Sequence, residues 1–493
     1  MTPKLIPTDE AIAILPCNGL PPVTVIGTEK IRETFDEVCL QQAINSRMSP
    51  GVTKVVLNPD GHLGYGAPIG CVMSSPTHIY PGPVGVDIKC SMSLLQTDIP
   101  EDVIQDRRVR RALINAICDR IPTGPGAGRR ASKKARPISN TTLMKGLATG
   151  ATEEILDQMG IPTYWTDRCE DSSHEGHDPR NNTLDARLDW HLANNTFRNL
   201  ELKLQQVGSL GGGNHFGECE IVDVADNARA RNAADVFGLK NQCVAFLSHC
   251  GSRGIGNILA TKQFRILQDK FDTWRIEYPG NDKQLVYAPL GTPEGNDYID
   301  DMSIAANFAT LNHLLINSLV LEAFQEILPG TKGELVYMIS HNIARKEVID
   351  GKMEWVHRKG ATRAFPAGHP GLSKTRYYDT GHPILLPGNP QAGSAIMVAD
   401  PNAKISSYSV NHGAGRVLGR KRAIRELDQR KIDESFEKAD ILTNCRTYPR
   451  DEAPAVYKDF EEVLRSVKLA GLASEVARLR AKFVIKDGDA ADD

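Results

Sequence analysis

An apolar run of strand length passes directly into a polar, glycine-rich end in Val244-Ala245-Phe246-Leu247-Ser248-His249-Cys250-Gly251-Ser252-Arg253-Gly254. Four apolar residues are too few for a helix and are typical of a buried strand. Three more runs have the same form: Lys54-Val55-Val56-Leu57, Leu335-Val336-Tyr337-Met338-Ile339 and Ala395-Ile396-Met397-Val398. Because polar segments at strand ends commonly carry function, we expect a site where several of these strands finish.

Helical periodicity accompanies the strands. Apolar residues recur at three- and four-residue spacing over about 184–206 and 303–328. No internal repeat is evident, and neither a Walker A loop nor a dinucleotide fingerprint is present. The sequence therefore predicts an α/β fold of the mixed α+β type, neither Rossmann nor P-loop.

Composition excludes several classes of protein. The chain has 493 residues, a net charge of -3 and 6% aromatic residues, which argues against a protein that coats nucleic acid through a uniformly basic or aromatic surface. Ten cysteines at irregular spacing do not resemble a disulfide scaffold. With no leader-like N-terminus and no segment approaching a membrane span, we expect a soluble cytoplasmic protein with no membrane contact.

Two polar segments look like loops, near 124–137 and 170–182. The first is rich in arginine and lysine, and it is either a solvated flexible loop or a contact to a phosphate backbone. We predict an N-terminal extension over 1–30, a catalytic domain over 31–486 with these two insertions, and an acidic tail over 487–493.

A thiol and a carboxylate stand three residues apart in Gly82-Pro83-Val84-Gly85-Val86-Asp87-Ile88-Lys89-Cys90. Alone, such a pair is more often a buried cysteine and a capping aspartate. Three histidines beside strand-like or glycine-rich segments, His215, His249 and His341, complete a plausible N/O/S set for one or two transition metals. Five ligands leave coordination positions open, as a catalytic centre requires.

A fourth histidine lies in the glycine-rich segment Asn411-His412-Gly413-Ala414-Gly415-Arg416. Glycines let backbone N–H groups approach an anion, and Arg416 or Arg253 can supply a forked cation. Histidine can attack phosphorus when its neutral form is presented in line. Glycine clusters are more often simple turns, so spacing alone leaves His412 as one candidate nucleophile.

Together, these segments resemble the RtcB family of RNA ligases over about Pro59 to Lys486. Eight segments match in one order, and those not yet quoted are Pro59-Asp60-Gly61-His62-Leu63-Gly64-Tyr65-Gly66, Gly213-Asn214-His215-Phe216, Ser340-His341-Asn342, Arg358-Lys359-Gly360-Ala361-Thr362-Arg363-Ala364 and Glu452-Ala453-Pro454-Ala455-Val456-Tyr457-Lys458. The order makes the resemblance specific, although each segment alone is weak.

The resemblance implies a single RtcB-like α/β domain with two manganese ions held by Asp87, Cys90, His215, His249 and His341, Cys90 bridging them. It implies that His412 carries guanylate from GTP. The residues it places around the nucleotide are Asn214, His215, Phe216, Gly217, Glu218, His341, Asn342, Pro387, Gly388, Asn389, Pro390, Ser394, His412, Gly413, Ala414, Gly415 and Lys486.

By the same resemblance, RNA ending in a 3'-phosphate or 2',3'-cyclic phosphate is joined to a 5'-hydroxyl end, in RNA repair or tRNA splicing, with an activating accessory protein as an optional partner. Lys89 and Ser91 flank Cys90 where the family usually has glycine, and the loop Pro387 to Ser394 also departs from the usual pattern. Two alternatives therefore stay open: a metal-dependent cyclic phosphodiesterase, and a weakly active paralogue that binds RNA ends.

Overall fold

Two large, mainly antiparallel sheets build the protein, and a computed structural model describes residues 3–488. The strands are β1 (Ile6–Asp9), β2 (Ile12–Cys17), β3 (Leu20–Ile26), β4 (Lys54–His62), β5 (Ile69–Ser75), β6 (His78–Ile79), β7 (Ser91–Pro100), β8 (Phe216–Val224), β9 (Cys243–Cys250), β10 (Ala288–Pro289), β11 (Gly333–Ser340), β12 (Asn342–Ile349), β13 (Lys352–Lys359), β14 (Ala361–Arg363), β15 (Pro383–Asn389), β16 (Gly393–Ala399), β17 (Ser409–Asn411), β18 (Leu442–Thr443) and β19 (Ala473–Ile485).

The helices lie between and around the sheets. They are α1 (Glu29–Arg32), α2 (Glu37–Met48), α3 (Arg107–Cys118), α4 (Asn140–Thr149), α5 (Glu153–Gln158), α6 (Thr183–Ala193), α7 (Leu200–Leu204), α8 (Ala228–Phe237), α9 (Arg253–Trp274), α10 (Pro293–Ile327), α11 (Arg420–Glu426), α12 (Gln429–Lys438) and α13 (Phe460–Leu469).

The first sheet has the order β1-β2-β3-β4-β5-β13-β12, and the second has the order β11-β7-β9-β8-β19-β16-β15, with β18 beside β19. All neighbours are antiparallel except β3 with β4 and β18 with β19. A Rossmann sheet is parallel, so the mixed, non-Rossmann fold class predicted from sequence is confirmed. Each of the four quoted apolar runs lies in a strand: β4, β9, β11 and β16.

One of the two predicted helical regions differs from the structure. The region 184–206 forms two helices, α6 and α7, because the chain turns between them through Asn195 and Arg198, both with positive φ. The region 303–328 is the C-terminal part of α10, which starts ten residues earlier. Thr292 caps that start by accepting a hydrogen bond from Gly295 N, and Pro293 occupies the first turn.

Helix α10 is the centre of the largest hydrophobic cluster. It is long and apolar enough to span a membrane, contrary to the expectation from sequence, but 94% of its most apolar window is buried inside the protein. Its apolar residues therefore serve to pack the sheets and helices around it.

The segment 124–137 is tied to the rest of the protein. Arg129 is buried, and the other basic side chains form ion pairs that join Arg130 to Glu201, Lys133 to Asp119, Lys134 to Glu326 and Arg136 to Glu322. These ion pairs hold the segment against neighbouring elements, and a contact to a phosphate backbone stays a prediction.

The predicted domain boundaries remain predictions. The first three strands, within the proposed extension 1–30, belong to the first sheet, where Thr24 of β3 pairs with Val56 of β4. Of the proposed acidic tail, residues 489–493 lie outside the described residues.

Candidate active site

Four predicted metal ligands meet where the ends of four neighbouring strands of the second sheet lie side by side. Cys90 directly precedes β7 and His215 directly precedes β8, whereas His249 is the penultimate residue of β9 and His341 directly follows β11. Neighbouring antiparallel strands bring the start of one beside the end of the next. The order β11-β7-β9-β8 therefore places all four residues side by side.

The ligand atoms face one another at short range. Cys90 Sγ lies 3.1 Å from His249 Nε2 and 3.5 Å from His215 Nε2. His249 Nε2 lies 3.2 Å from His341 Nε2, and Asp87 Oδ2 lies 2.9 Å from His215 Nε2. These residues form two groups of three, in each of which the ligand atoms lie within 4.8 Å of one another. The first group is Cys90, His249 and His341, and the second is Asp87, Cys90 and His215. Cys90 belongs to both groups.

Electrostatics at this cluster favours a cation. Burial lowers the pKa of His249 and His341 well below the usual range, so both imidazoles are neutral. Burial also raises the pKa of the Cys90 thiol, and the Asp87 carboxylate beside it raises it further. Burial opposes ionisation of Asp87, but hydrogen bonding to His215 holds its pKa low. Neutral imidazoles, a carboxylate and a thiol that a metal would deprotonate fit one or two transition-metal ions.

His412 lies beside this cluster with a defined tautomer. Its ring centroid is 4.5 Å from that of His341. Its Nδ1 lies 2.7 Å from Asp60 Oδ2 and 2.9 Å from the Gly360 carbonyl oxygen. Since both partners accept, Nδ1 carries a proton, so in the neutral ring Nε2 is the nitrogen with the lone pair. A histidine oriented by a buried carboxylate in this way is equipped to act as a nucleophile or base through Nε2.

The backbone around Asp60 is itself held in position by Lys458 and by the loop that contains Gly415. Asp60 is fully buried near the end of β4, and Lys458 Nζ donates to the carbonyls of Pro59 at 2.9 Å and Gly61 at 2.7 Å. Gly415 has φ +77°, and a Cβ there would lie 2.4 Å from the Asp60 carbonyl oxygen. Only glycine permits this close approach of the His412 loop to β4.

A cavity of about 600 Å³ opens at His412. Of the residues predicted to surround a nucleotide, those lining it are Asn214, Phe216, Pro387, Gly388, His412, Gly413, Ala414 and Gly415. Arg416 and Arg420 also line it, and they supply the cations that a phosphorylated ligand needs. Both arginines bind Glu452, so their guanidinium groups are held in position.

The other predicted nucleotide residues lie behind or beside the cavity. Asn342 connects the two parts of the site, because its Nδ2 donates to the Asp87 carbonyl at 3.2 Å and its Oδ1 accepts from Gly360 N at 2.9 Å. Asn389 Oδ1 accepts from two backbone N–H groups of its own turn, which includes Pro390. Gly217 lies in β8, and His215 and His341 belong to the metal-ligand cluster.

A buried polar group lies next to Phe216. Lys486 Nζ is 3.0 Å from Glu452 Oε2 and 5.8 Å from the centre of the Phe216 ring. Burial raises the pKa of Glu218 to about 7, although Lys486 opposes this. Burial and the neighbouring Glu218 raise the pKa of Glu220, whose carboxylate oxygen lies 2.9 Å from Ser394 Oγ. Each of these four ionisable side chains is at most 3% exposed, and none of them is among the residues that line the cavity.

Lys89 points away from the predicted metal position. Its backbone has φ +53°, and its Nζ donates to Asp171 O at 2.6 Å, His174 Nε2 at 2.8 Å and Thr310 Oγ1 at 2.7 Å. Asp171 and His174 belong to the insertion 170–182. Lys89, which directly precedes Cys90, is thus bonded to this insertion.

The sequence alone does not single out Asp60, Arg420 or Glu452. Asp60 and Glu452 lie within motifs quoted above, but 352 residues separate Asp60 from His412, and only the fold shows that they touch. Arg420 lies in a basic segment whose pattern is typical of a solvated surface.

Known proteins match this chain over nearly its whole length. A family model described as "tRNA-splicing ligase RtcB" matches residues 42–487. A protein of Nanoarchaeum equitans named tRNA-splicing ligase RtcB is 35% identical, with 98% of this chain and 99% of the relative covered. A protein of the same name from Thermococcus kodakarensis is 34% identical, covering 91% and 90%. An RNA-splicing ligase RtcB of Mycobacterium bovis is 33% identical, covering 89% and 98%. The chain belongs to the RtcB family.

Proposed function

We propose that this protein is an RNA ligase that consumes GTP and joins RNA ends bearing a 3'-phosphate or 2',3'-cyclic phosphate to 5'-hydroxyl ends, in tRNA splicing or RNA repair in the cytoplasm. The names of its relatives support the ligase class. The single observation that carries the proposal is the placement of His412, with its Nδ1 bound to Asp60, beside the cluster of five metal-ligand candidates.

The first step is guanylate transfer to His412. Its Nε2 lone pair attacks the α-phosphorus of GTP, an N–P bond forms, and the bond to the leaving pyrophosphate breaks. Asp60 accepts the Nδ1 hydrogen bond and stabilises the positive charge that develops on the ring. Arg416 and Arg420, on the cavity wall, offset the charge on the phosphates.

The second step passes guanylate to RNA. A 2',3'-cyclic phosphate is first opened by water to a 3'-phosphate, one of whose oxygens then attacks the guanylate phosphorus and releases His412. The 5'-hydroxyl oxygen attacks the activated 3'-phosphorus, a 3',5' linkage forms and GMP leaves. Activation is needed because a phosphate monoester lacks a good leaving group.

Asp87, Cys90, His215, His249 and His341 would hold two manganese ions in this proposal. Bound there, the metal supplies charge neutralisation and alignment for phosphoryl transfer. The protein contributes the fixed positions: Asn342 links the Asp87 carbonyl to Gly360, whose own carbonyl accepts from His412. The metal-ligand cluster and the nucleophile therefore share one rigid frame.

The nucleotide would occupy the His412 cavity, with its phosphates toward His412 and its base toward Phe216. Lys486 and Glu218 lie on that side and supply a donor and a carboxyl group. In its ionised form, which the N–H edge of guanine would stabilise, the Glu218 carboxylate can accept from the N1–H and N2–H groups that guanine presents and adenine lacks, and this favours GTP.

The test is an assay with a cleaved RNA hairpin carrying either end chemistry, with GTP and manganese. We expect joined product only when both are present, and none with Cys90→Ala or His412→Ala. A variant at a half-buried histidine that lies outside both the metal-ligand cluster and the cavity, His369→Ala, serves as the control and should ligate normally. An activating accessory protein, if required, would be recognised by its effect on the same assay.

The same assay separates the alternatives. A cyclic phosphodiesterase would open the cyclic phosphate without GTP and never join ends. A weakly active paralogue would bind RNA ends with no turnover, and Cys90→Ala would bind as well as the wild type. Either result would contradict the proposed ligase.

A further inference from the structure

A second cavity adjoins the one at His412. Its volume is about 750 Å³, and Leu63 lines both cavities. The start of α2 also contributes to both, through Asp36 to the first and Val38 to the second. A flexible ligand whose reactive end lies at His412 can therefore continue into this second cavity, which we call the Tyr65 groove.

The wall of the Tyr65 groove is a turn with a fixed backbone. Gln42 Nε2 donates to Gly64 O at 2.7 Å, and Gly64 N donates back to Gln42 Oε1 at 3.1 Å. Gly66 N donates to Gln284 Oε1 at 3.0 Å, and Lys359 Nζ donates to the Tyr65 carbonyl. The turn is therefore held on both sides before any ligand arrives.

On this fixed turn, large apolar side chains face outward. Leu63 is 52% exposed, Tyr65 is 41% exposed, and Val38 on the neighbouring helix is 55% exposed. The Tyr65 ring packs edge-on with Phe264, with centroids 5.0 Å apart, which limits its motion. A rigid aromatic ring left open to solvent, in the groove next to the His412 cavity, is arranged for binding a flat partner, because little conformational entropy is lost when the partner stacks.

The polar lining of the groove suits a base better than a phosphate. Its lining residues include no lysine, arginine or histidine, and its one carboxylate, Asp282, already accepts from Gln284 N at 2.9 Å. The groove is also lined by the amides of Asn281 and of Gln41, whose Nε2 donates to Asn45 Oδ1 at 2.9 Å. Side-chain amides pair with the donor and acceptor edges of bases, whereas phosphates are bound mainly by cations.

We propose that the Tyr65 groove binds the base of an unpaired terminal nucleotide of the RNA whose end reacts at His412. This rests on the proposed function. The base stacks on Tyr65 and meets the amide of Gln41, while its phosphate lies toward the first cavity, where Arg416 and Arg420 are placed. Single-stranded RNA is commonly read in this way, by stacking and by contacts to base edges.

The test measures binding of two short RNAs with 3'-phosphates, one with an ordinary unpaired terminal nucleotide and one abasic at that position, by fluorescence anisotropy. We expect Tyr65→Ala to weaken binding of the ordinary RNA about 10-fold, the effect of one lost base stack. Tyr65→Phe should bind like wild type. Tyr378→Ala, at a tyrosine that is also 41% exposed but lines neither cavity, is the matched control and should have no effect.

The abasic RNA decides the interpretation. Wild type should bind it about 10-fold more weakly than the ordinary RNA, and Tyr65→Ala should add no further loss. Gln41→Ala should weaken the ordinary RNA alone. The inference is overturned if Tyr65→Ala binds both RNAs like wild type, as it would if a protein filled the groove, or if it weakens both RNAs equally.

Guanylate labelling separates this inference from the proposed function. Tyr65→Ala should accept guanylate from GTP at the wild-type rate, since Tyr65 does not line the His412 cavity. Absence of labelling in every variant would refute the proposed function, whereas intact labelling with unchanged RNA affinity would refute only the role of the groove.

Discussion

Replacing Lys89 tests how the metal segment is held. Lys89 lies in the left-handed region, where a side chain costs roughly 1–2 kcal/mol. Its ammonium donates three buried hydrogen bonds. At about 1.5 kcal/mol each these contribute about 4.5 kcal/mol, from which the burial of the charge subtracts. We therefore expect Lys89→Ala to lower the free energy of unfolding by about 3 kcal/mol, and Lys89→Gly, which relieves the backbone strain, to lower it by about 2 kcal/mol.

Urea denaturation of wild type and both variants measures these differences. The control is Lys30→Ala, at a lysine whose side chain is 76% exposed. Its free energy of unfolding should lie within about 0.5 kcal/mol of that of wild type. The reasoning about the bonds fails if Lys89→Ala is as stable as wild type. The reasoning about strain fails if the glycine variant is no more stable than the alanine variant.

Three other perturbations have defined outcomes. Asp60→Asn should slow guanylate transfer to His412 about 100-fold or more, because it disturbs the tautomer and charge of the nucleophile. Metal affinity, measured by titration, should change little. An unchanged rate of guanylate labelling would contradict this prediction. Gly415→Ala should lower the melting temperature, since its Cβ would meet the Asp60 backbone. Gly419→Ala should not lower it, because a Cβ there would have nothing within 4 Å. Equal melting temperatures of the two variants would be inconsistent with the close approach of Gly415 to Asp60. Burial raises the pKa of Glu218 to about 7, so the folded state holds a proton that the unfolded chain has lost, and stability should fall as pH rises from about 4.5 through 7. Glu218→Gln should flatten this part of the pH profile measured by urea denaturation, and identical profiles would refute the assignment.

The sequence predicts the separate elements of this protein well. Apolar runs such as Val244 to Leu247 are strands, and each of the five metal-ligand candidates, chosen by residue type and local context, lies in the cluster. The convergence of these residues has a physical reason. Residues at or beside the ends of neighbouring strands can reach a shared site, and strand ends are visible as a change between apolar and glycine-rich residues.

Pairings across long separations could not be predicted from the sequence. Asp60 reaches His412 only because β4 and the β14–β17 pair belong to a fold in which Gly415 passes close to β4. The direction of Lys89 is likewise invisible in the sequence, because its partners lie more than 80 residues away. The split of the region 184–206 was missed because two residues there adopt positive φ without being glycine.

Direct mapping of the guanylate tests whether His412 carries it. The protein is incubated with manganese and GTP labelled at the α-phosphate, digested under neutral or alkaline conditions, and the labelled peptide is identified by mass spectrometry. We expect one acid-labile guanylate on the peptide containing His412, none with His412→Ala, and normal labelling with His369→Ala. Equal labelling of wild type and His412→Ala, or label on another residue, would contradict the proposed mechanism.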